Sequence, residues 1–220
     1  MTPNDAQDRL RTLLEAGRAL VAELPDPTGS ENPIELLRTW HATAEAAGLM
    51  LPEAMALATV SPDGEPSVRM VLLKGLDESG LQFFTNYESP KAKDLEANGL
   101  ASLCFHWTEL ERQVRIRGSV ARLTKLESFE YFKSRPRGSR IGAWASQQSR
   151  PLDDRETLLE RVHRFETQFE GEEVPLPPHW GGYRLHPTRF EFWQGRESRL
   201  HDRWVFHRSD GAWEVERLQP

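Results

Sequence analysis

The run RQVRIRGSVARL, residues 112–123, restricts the possible folds of this chain. Apolar and polar side chains alternate along it. Because successive side chains of a β-strand point to opposite faces, the run predicts one long strand with a single face against a core. The inner face would carry Val114, Ile116 and Val120, and the outer face Gln113, Arg115 and Arg117.

Further strands are predicted on both sides of this run. Three segments separated by the turn sequences PDGEP and DESG predict an antiparallel meander: MALATVS (55–61), SVRMVLLKG (67–75) and LQFFTN (81–86). Four other strands are predicted: LASLCFHW (100–107), YRLHPTRFEFW (183–193), RLHDRWVFHR (199–208) and AWEVERL (212–218). Mostly antiparallel strands with helices in separate blocks predict an α+β fold containing a small barrel.

Helical patterns precede the strands. Residues 5–24 have leucine and valine at helical spacing, and the segment PDPTGS that follows would end this helix. A second helix is expected to begin at Asn32, with Pro33 in its first turn and Glu35 placed for a capping box. Gly48 would end it.

Three more helices are predicted within the strand-rich part of the chain. Ser89 and Pro90 open a short helix that Gly99 closes. Thr124 and Glu127 have the spacing of a capping box at the start of another. The segment 153–169 predicts an amphipathic helix whose inward positions are Leu158, Leu159, Val162, Phe165 and Phe169.

Composition and missing motifs limit the functional classes. With 34 acidic residues against 28 Lys and Arg, the formal net charge is −6, which argues against general binding to nucleic acid or membrane surfaces. Cys104 is the only cysteine and lies in an apolar run, so a buried, inert thiol is expected and a disulfide or cysteine zinc cage is excluded. The N-terminus has no signal-peptide pattern, so we expect a cytoplasmic protein. The histidines are scattered and no HExxH motif occurs, so we expect no metal site. The motifs GxGxxG and GxSxG are also missing.

One basic stretch stands out in this acidic chain. The ten residues YFKSRPRGSR (131–140) contain Lys133, Arg135, Arg137 and Arg140 and no acid. Arginine matches phosphate oxygens with two parallel hydrogen bonds, and a Gly-Ser turn can add hydroxyl and backbone donors. A loop that binds phosphate and a solvated basic surface are both compatible with this composition.

Three other groups of cations are candidates for anion binding. If residues 199–208 form a strand, Arg199, His201 and Arg203 share one face, which suits either an electron-rich ligand or the wet side of an edge strand. Strand parity places Arg69 and Lys74 on opposite faces unless a bulge intervenes. The helix start at Ser89-Pro90-Lys91 could bind an anion through its amides and the lysine.

Together these segments resemble the pyridoxine (pyridoxamine) 5′-phosphate oxidase family. The resemblance runs from about Pro52 to Pro220. It rests on these motifs, in the family's order: RMVLLK (69–74), FFTN (83–86), LERQVRIRG (110–118), YFKSRPRGSRIGAW (131–144), QQS (147–149), EVPLPPHWGGYR (173–184) and FWQGRESRLHDR (192–203).

The resemblance implies an FMN-binding split β-barrel, mostly antiparallel with peripheral helices, that forms a homodimer with each FMN between two subunits. Residues 51–220 would form this domain, including a C-terminal region for dimerisation and substrate, and residues 1–50 a helical segment packed on the barrel. FMN would contact Arg69, Met70, Val71, Leu72, Leu73, Lys74, Phe84, Thr85, Lys91 and Gln113. The partner subunit would add its own copies of Gln148, Ser149, Trp193 and Arg203.

The implied reaction belongs to vitamin B6 metabolism: pyridoxine or pyridoxamine 5′-phosphate is oxidised to pyridoxal 5′-phosphate, and dioxygen reoxidises FMN to give hydrogen peroxide. The substrate phosphate would be held by Lys74, Tyr131, Arg135 and Ser139. Arg199 and His201 would lie against the pyridine ring and are the expected catalytic residues. Arg137 and Arg140 receive no role from the resemblance.

Two departures from the family pattern and two other functional readings remain. Family members often have Ser-Arg-Lys where this chain has Ser89-Pro90-Lys91, and many have an arginine- and tyrosine-containing lid that residues 1–24 lack. The alternatives are a split-barrel flavin oxidase of another substrate, such as the related phenazine-pathway proteins, and a non-catalytic carrier or regulator that retains the flavin site.

Overall fold

The computed structural model describes residues 32–220, so the helix predicted over 5–24 lies outside the described residues. The strands are β1 (Ala54–Val60), β2 (Pro66–Leu72), β3 (Gly75–Asp77), β4 (Gly80–Asn86), β5 (Leu100–Trp107), β6 (Arg112–Arg122), β7 (Trp180–Gln194), β8 (Asp202–Ser209) and β9 (Ala212–Leu218). The helices are α1 (Pro33–Ala46), α2 (Pro90–Asn98), α3 (Lys125–Ser134), α4 (Arg137–Ala145) and α5 (Arg155–Gln168). Two 3₁₀ turns span Thr108–Leu110 and Glu197–Arg199.

All strand pairs are antiparallel and form one curled sheet, which confirms the α+β prediction. The order is β2-β1-β5-β6-β7-β4-β3, with β8 beside β7 and β9 beside β8. The predicted meander is wrong, because β4 pairs with β7 and not with β2. The run 55–86 therefore forms two hairpins, β1–β2 and β3–β4, at opposite ends of the strand order. Local turn sequences do not determine which distant strands these hairpins pair with.

Strand β7 is long enough to pair with three other strands. Its first half pairs with β4 and its second half with β8, while β6 pairs with residues 183–194 on the other edge. The β6–β7 register shifts between Arg117 and Gly118. A Cβ on Gly118 would lie 2.0 Å from the carbonyl oxygen of His186, so only glycine permits this close approach, and the irregularity bends the sheet where β7 changes partners.

Helix α1 covers the core that the sheet encloses. Trp40 packs edge-on against Phe192 at a centroid distance of 5.2 Å, and Val114 and Ile116 of the alternating run are fully buried, as predicted. The Asn32 side chain caps α1 by accepting from the Ile34 N–H. The predicted capping box at this helix is wrong, since the Glu35 carboxylate accepts from Arg38 instead.

The other helix boundaries follow their local signals. Gly99 ends α2 with φ 64°, and Thr124 and Glu127 form the predicted capping box of α3. In α5 the predicted inward face is only partly correct, because the Leu159 side chain is exposed. Among the described residues, no helix combines the length and the apolar content that crossing a membrane requires.

Candidate functional site

Separate segments of the chain meet at one cleft of about 320 Å³. Strands β2, β4 and β7, helices α2 and α3 and the linker between α4 and α5 all contribute to it. Its lining residues, which we call the basic cleft, are Met70, Val71, Leu72, Lys74, Phe84, Thr85, Lys91, Tyr131, Arg135, Gln148 and Trp180. Ten of these eleven residues are among the site residues predicted from the sequence, and Trp180 is the exception.

Lys91 is the most unusual cation of the basic cleft. Its Nζ donates to Gln148 Oε1 at 2.8 Å, and to Thr85 Oγ1 and Ser89 Oγ at 3.1 Å each. All three acceptors are uncharged. Burial, with a smaller contribution from the nearby Arg69 guanidinium, lowers the pKa of Lys91 to about 8. A buried ammonium group held only by neutral oxygens is a place where a bound anion is strongly stabilised.

Arg69 is fixed beside Lys91 by a polar network. Its Nη1 donates to Thr59 Oγ1 at 2.7 Å, and Thr59 in turn donates to the buried Asp94 carboxylate at 2.6 Å. Burial lowers the pKa of Arg69, which Asp94 partly offsets. Arg69 itself does not line the basic cleft, but its positive charge helps to lower the pKa of Lys91.

Lys74 reaches the cleft without a β-bulge. Strand β2 ends at Leu72, and the Lys74 N–H donates to the Gln82 carbonyl as the chain turns into β3. Lys74 therefore lines the cleft from beyond the end of the strand, whereas Arg69, within the strand, does not line it. The Lys74 ammonium lies 3.4 Å from Glu53 Oε1.

An aromatic wall closes one side of the basic cleft. Phe84 stacks on Tyr131 with centroids 3.9 Å apart and on Trp180 at 5.5 Å. The Arg135 guanidinium lies over Trp180 at 4.6 Å, and its Nη1 is buried without a hydrogen-bond partner. Burial lowers the pKa of Arg135. A stacked guanidinium with an unused buried donor can bind an anionic ligand.

The basic stretch is not a loop, as the sequence suggested: it comprises the last turn of α3, the two residues Arg135 and Pro136, and the start of helix α4. Proline at position 136 serves as its N-cap residue, and the helix begins at Arg137. One side of α4 lines a second pocket of about 290 Å³, the α4 pocket, which shares Arg135, Gln148 and Trp180 with the basic cleft. Ser139 and Arg135 both line the α4 pocket.

A second group of predicted residues lies on β6 and β7 and around the start of β8. Gln113 pairs with Trp193, Trp193 pairs with Arg203, and the His201 ring lies 4.6 Å from the Trp193 ring. We call Gln113, Trp193, His201 and Arg203 the β-row. None of its members lines the basic cleft of the same chain.

The prediction that Arg199, His201 and Arg203 share one strand face is wrong. Strand β8 begins only at Asp202, and a 3₁₀ turn with positive φ at Ser198 and Arg199 precedes it. The His201 ring accepts a hydrogen bond at Nδ1 from the Arg196 N–H, 3.1 Å away. Because a backbone amide can only donate, the neutral ring carries its hydrogen on Nε2.

Four predicted residues have a different environment from the rest. Leu73 is buried in the core and does not line the cleft. Ser149 and Arg199 are exposed at positive φ. Gln148 lies against Lys91 of its own chain, whereas the family resemblance assigned it to the partner subunit.

Trp180 is the cleft residue that sequence reasoning missed. It precedes Gly181 and Gly182, and a Cβ on Gly182 would lie 2.7 Å from Phe84 Cε1 and 2.5 Å from Leu123 Cδ1. This tryptophan-diglycine sequence is a signal of close backbone approach that could have identified the aromatic wall.

Comparisons with known proteins place most of the chain in one family. Residues 43–169 match the family model described as pyridoxamine 5′-phosphate oxidase, and residues 180–220 match that of the pyridoxine 5′-phosphate oxidase C-terminal dimerisation region. Relatives named pyridoxine/pyridoxamine 5′-phosphate oxidase include those of Psychromonas ingrahamii, 50% identical over 96% of this chain and 98% of the relative, and Salinibacter ruber, 54% identical over 90% and 94%.

Solved structures support the fold. PhzG from Burkholderia lata 383, in complex with tetrahydrophenazine-1-carboxylic acid, has a TM-score of 0.85 and 34% identity over 90% of this chain and 98% of its own. A pyridoxamine 5′-phosphate oxidase-related, FMN-binding protein from Nostoc punctiforme has a TM-score of 0.71 at 19% identity, over 87% of this chain and 99% of its own. The split-barrel prediction is confirmed.

Proposed function

Because the chain belongs to the pyridoxamine 5′-phosphate oxidase family and is an enzyme of that family, we propose that it oxidises pyridoxine or pyridoxamine 5′-phosphate to pyridoxal 5′-phosphate, with FMN as cofactor and dioxygen as electron acceptor. The observation that carries the proposal is the convergence of Lys74, Lys91 and Arg135 on one cleft of an acidic protein. Lys91 and Arg135 bring buried, unneutralised donors that suit phosphate.

The residues of the basic cleft fit FMN. Lys91, supported by Arg69, would hold the FMN phosphate together with Thr85, and the β2 residues Met70 to Leu72 would border the ring system. When bound, FMN would accept a hydride from the C4′ carbon of the substrate and pass two electrons to dioxygen, which yields hydrogen peroxide. The protein would contribute binding, orientation and exclusion of water.

The substrate phosphate would be held by Arg135, Ser139, Tyr131 and Lys74. Arg135 has a free buried donor, and Ser139 lies in the adjoining α4 pocket. Fixing a phosphate that takes no part in the chemistry uses its binding energy to orient C4′, which is a positioning effect. The aromatic wall would exclude water from one side of the substrate.

A homodimer would complete the site. The match to a dimerisation region over 180–220 includes the β-row residues Trp193, His201 and Arg203, so we propose that the β-row of one subunit faces the basic cleft of its partner. Since His201 carries its hydrogen on Nε2, it would donate to the substrate and would not act as a base. Arg199 would lie against the pyridine ring. The lone cysteine suits the reducing cytoplasm, where we place the reaction.

The resemblance to PhzG favours one competing function, oxidation of a phenazine precursor without a phosphate group. The oxidase relatives are more similar in sequence, at 50–54% identity against 34%. Arg135 can bind the carboxylate of such a precursor as well as a phosphate, so it is the higher identity that favours the B6 substrate. A non-catalytic flavin carrier would need no donors for a second anion.

Purification followed by an aerobic assay tests the proposed function. We expect a yellow protein with a flavin spectrum that converts pyridoxine 5′-phosphate to pyridoxal 5′-phosphate and releases one hydrogen peroxide per product. A yellow protein that forms no pyridoxal 5′-phosphate would support the carrier, and turnover of a tetrahydrophenazine carboxylic acid alone would support the PhzG-like function.

A further inference from the structure

Helix α4 has two functional faces. Ser139, Gly142, Ala143 and Ser146 recur at helical spacing on the side that lines the α4 pocket. Arg137, Arg140 and Trp144 recur on another side, which contacts the segment 169–176 that follows α5. The arginines of the basic stretch therefore have different contacts: Arg135 lines the basic cleft, whereas Arg137 and Arg140 bond residues 169–173.

Both arginines donate to the segment that follows α5, while Arg140 Nε is buried without a partner. Arg137 donates from Nη1 to the Glu172 carbonyl at 2.7 Å and from Nη2 to the Phe169 carbonyl at 2.5 Å. Arg140, whose side chain is 13% exposed, donates from Nη1 to Glu173 Oε2 at 2.7 Å. Together they join the first turns of α4 to residues 169–173.

The last turn of α4 is joined to the same segment further along. Trp144 Nε1 donates to the Pro175 carbonyl at 2.8 Å, and His179 Nε2 lies 3.0 Å from the Ala143 carbonyl. Trp180, which immediately follows His179, carries the stacked Arg135 guanidinium. Segment 169–180 thus determines the position of Ser139, through α4, and the position of Arg135, through Trp180.

We propose that Arg137, assisted by Arg140, is a positioning residue for substrate phosphate: it holds α4 so that Ser139 and Arg135 reach the same anion. The proposal rests on the proposed function, because it assigns the phosphate to these two residues. It accounts for three of the four cations of the basic stretch: Arg135 faces the ligand, and Arg137 and Arg140 fix the helix that carries Ser139, whereas Lys133 stays at the surface.

Arg137→Met and Arg137→Lys test the proposal together. Anaerobic calorimetry of the purified, flavin-loaded chain, with its FMN reduced beforehand so that it cannot accept a hydride, measures the Kd for pyridoxine 5′-phosphate without turnover. Losing two hydrogen bonds should raise this Kd about five- to tenfold in Arg137→Met, whereas Arg137→Lys should recover only part of it, because one ammonium cannot reproduce the two-point contact. KM should rise by a similar factor, with kcat within about twofold of wild type.

Lys133→Met is the matched control. It removes the same charge from the same stretch, but Lys133 is exposed and bonds only Glu130 on its own helix. Its Kd should stay within about twofold of wild type. Hydrogen exchange provides a second readout, since the amides of residues 137–146 should exchange faster in Arg137→Met and remain unchanged in Lys133→Met.

Distinct outcomes overturn the inference and the proposed function. If Arg137→Lys binds pyridoxine 5′-phosphate as tightly as wild type while Lys133→Met is as weak as Arg137→Met, long-range charge explains the effect and the positioning role is wrong. Wild-type binding by Arg137→Met would also overturn it. If the wild-type chain does not bind pyridoxine 5′-phosphate while exchange still speeds up in Arg137→Met, it is the substrate assignment that fails.

Discussion

Replacing Lys91 by methionine should have two effects of opposite sign. Lys91 is buried, and burial lowers its pKa from the ordinary 10.5 to about 8. This difference means that keeping the ammonium charged costs the flavin-free protein on the order of 3 kcal/mol below pH 8. Methionine has a similar shape and no charge, so Lys91→Met should stabilise the flavin-free protein at pH 7 by about 1–3 kcal/mol, after the loss of three hydrogen bonds to neutral groups.

The same substitution should weaken FMN binding. A charge-assisted hydrogen bond to phosphate contributes about 1.5–3 kcal/mol, so the Kd for FMN should rise roughly 10- to 150-fold. The affinity of the wild type should also fall as the pH rises through about 8, where Lys91 of the flavin-free protein loses its proton. In Lys91→Met this pH dependence should disappear.

The stability of the flavin-free protein has a predicted pH dependence of its own. Between about pH 8 and 10.5 the unfolded chain holds a proton on Lys91 that the folded chain has released, so this residue makes stability rise with pH in that window. Chemical denaturation of flavin-free protein and fluorescence titration with FMN measure the two effects. Lys93→Met, an exposed lysine on the same helix, is the control. A Lys91→Met protein that is less stable at pH 7, or that binds FMN as tightly as wild type, would refute this reasoning.

Three other predictions concern the substrate and the aromatic wall. Arg135→Ala and Arg199→Ala should each lower the rate of pyridoxal 5′-phosphate formation at least tenfold, about 1.4 kcal/mol in the barrier, and normal turnover by both would contradict the site assignment. His201→Gln keeps a donor near the Nε2 position and should retain more activity than His201→Asn by roughly tenfold in kcat/KM; the reverse order would exclude the donor role. Gly182→Ala should displace Phe84 and destabilise the protein by about 1–3 kcal/mol in chemical denaturation, and an unchanged free energy of unfolding would show that the wall can move.

Local patterns predicted the elements well where the local signal decides the structure. The alternating run at 112–123 forms β6, and the Thr124–Glu127 spacing forms a capping box, because both depend on neighbours in sequence. The meander failed because pairing of β4 with β7 joins residues about a hundred positions apart. The sequence predicts a loop at the basic stretch because Pro136 and Gly138 are poor helix formers, although a helix begins at Arg137.

The candidate site was predictable as a set of residues but not as a geometry. Cations at 74, 91 and 135 do meet in one cleft, which family motifs indicated and no periodicity could have shown. Tertiary packing decides that the basic cleft and the β-row are separate within one chain. The shared face predicted for Arg199, His201 and Arg203 required a strand at these residues, but the chain forms a turn with positive φ at Arg199. Trp180 was missed because its role depends on stacking with Phe84.

The phosphate selectivity of turnover tests the central claim most directly. We predict that kcat/KM for pyridoxine 5′-phosphate exceeds that for unphosphorylated pyridoxine by roughly 100-fold or more in the wild type, and that Arg135→Ala removes most of this preference. Equal turnover of the two compounds by the wild type, or a preference that survives in Arg135→Ala, would contradict the account.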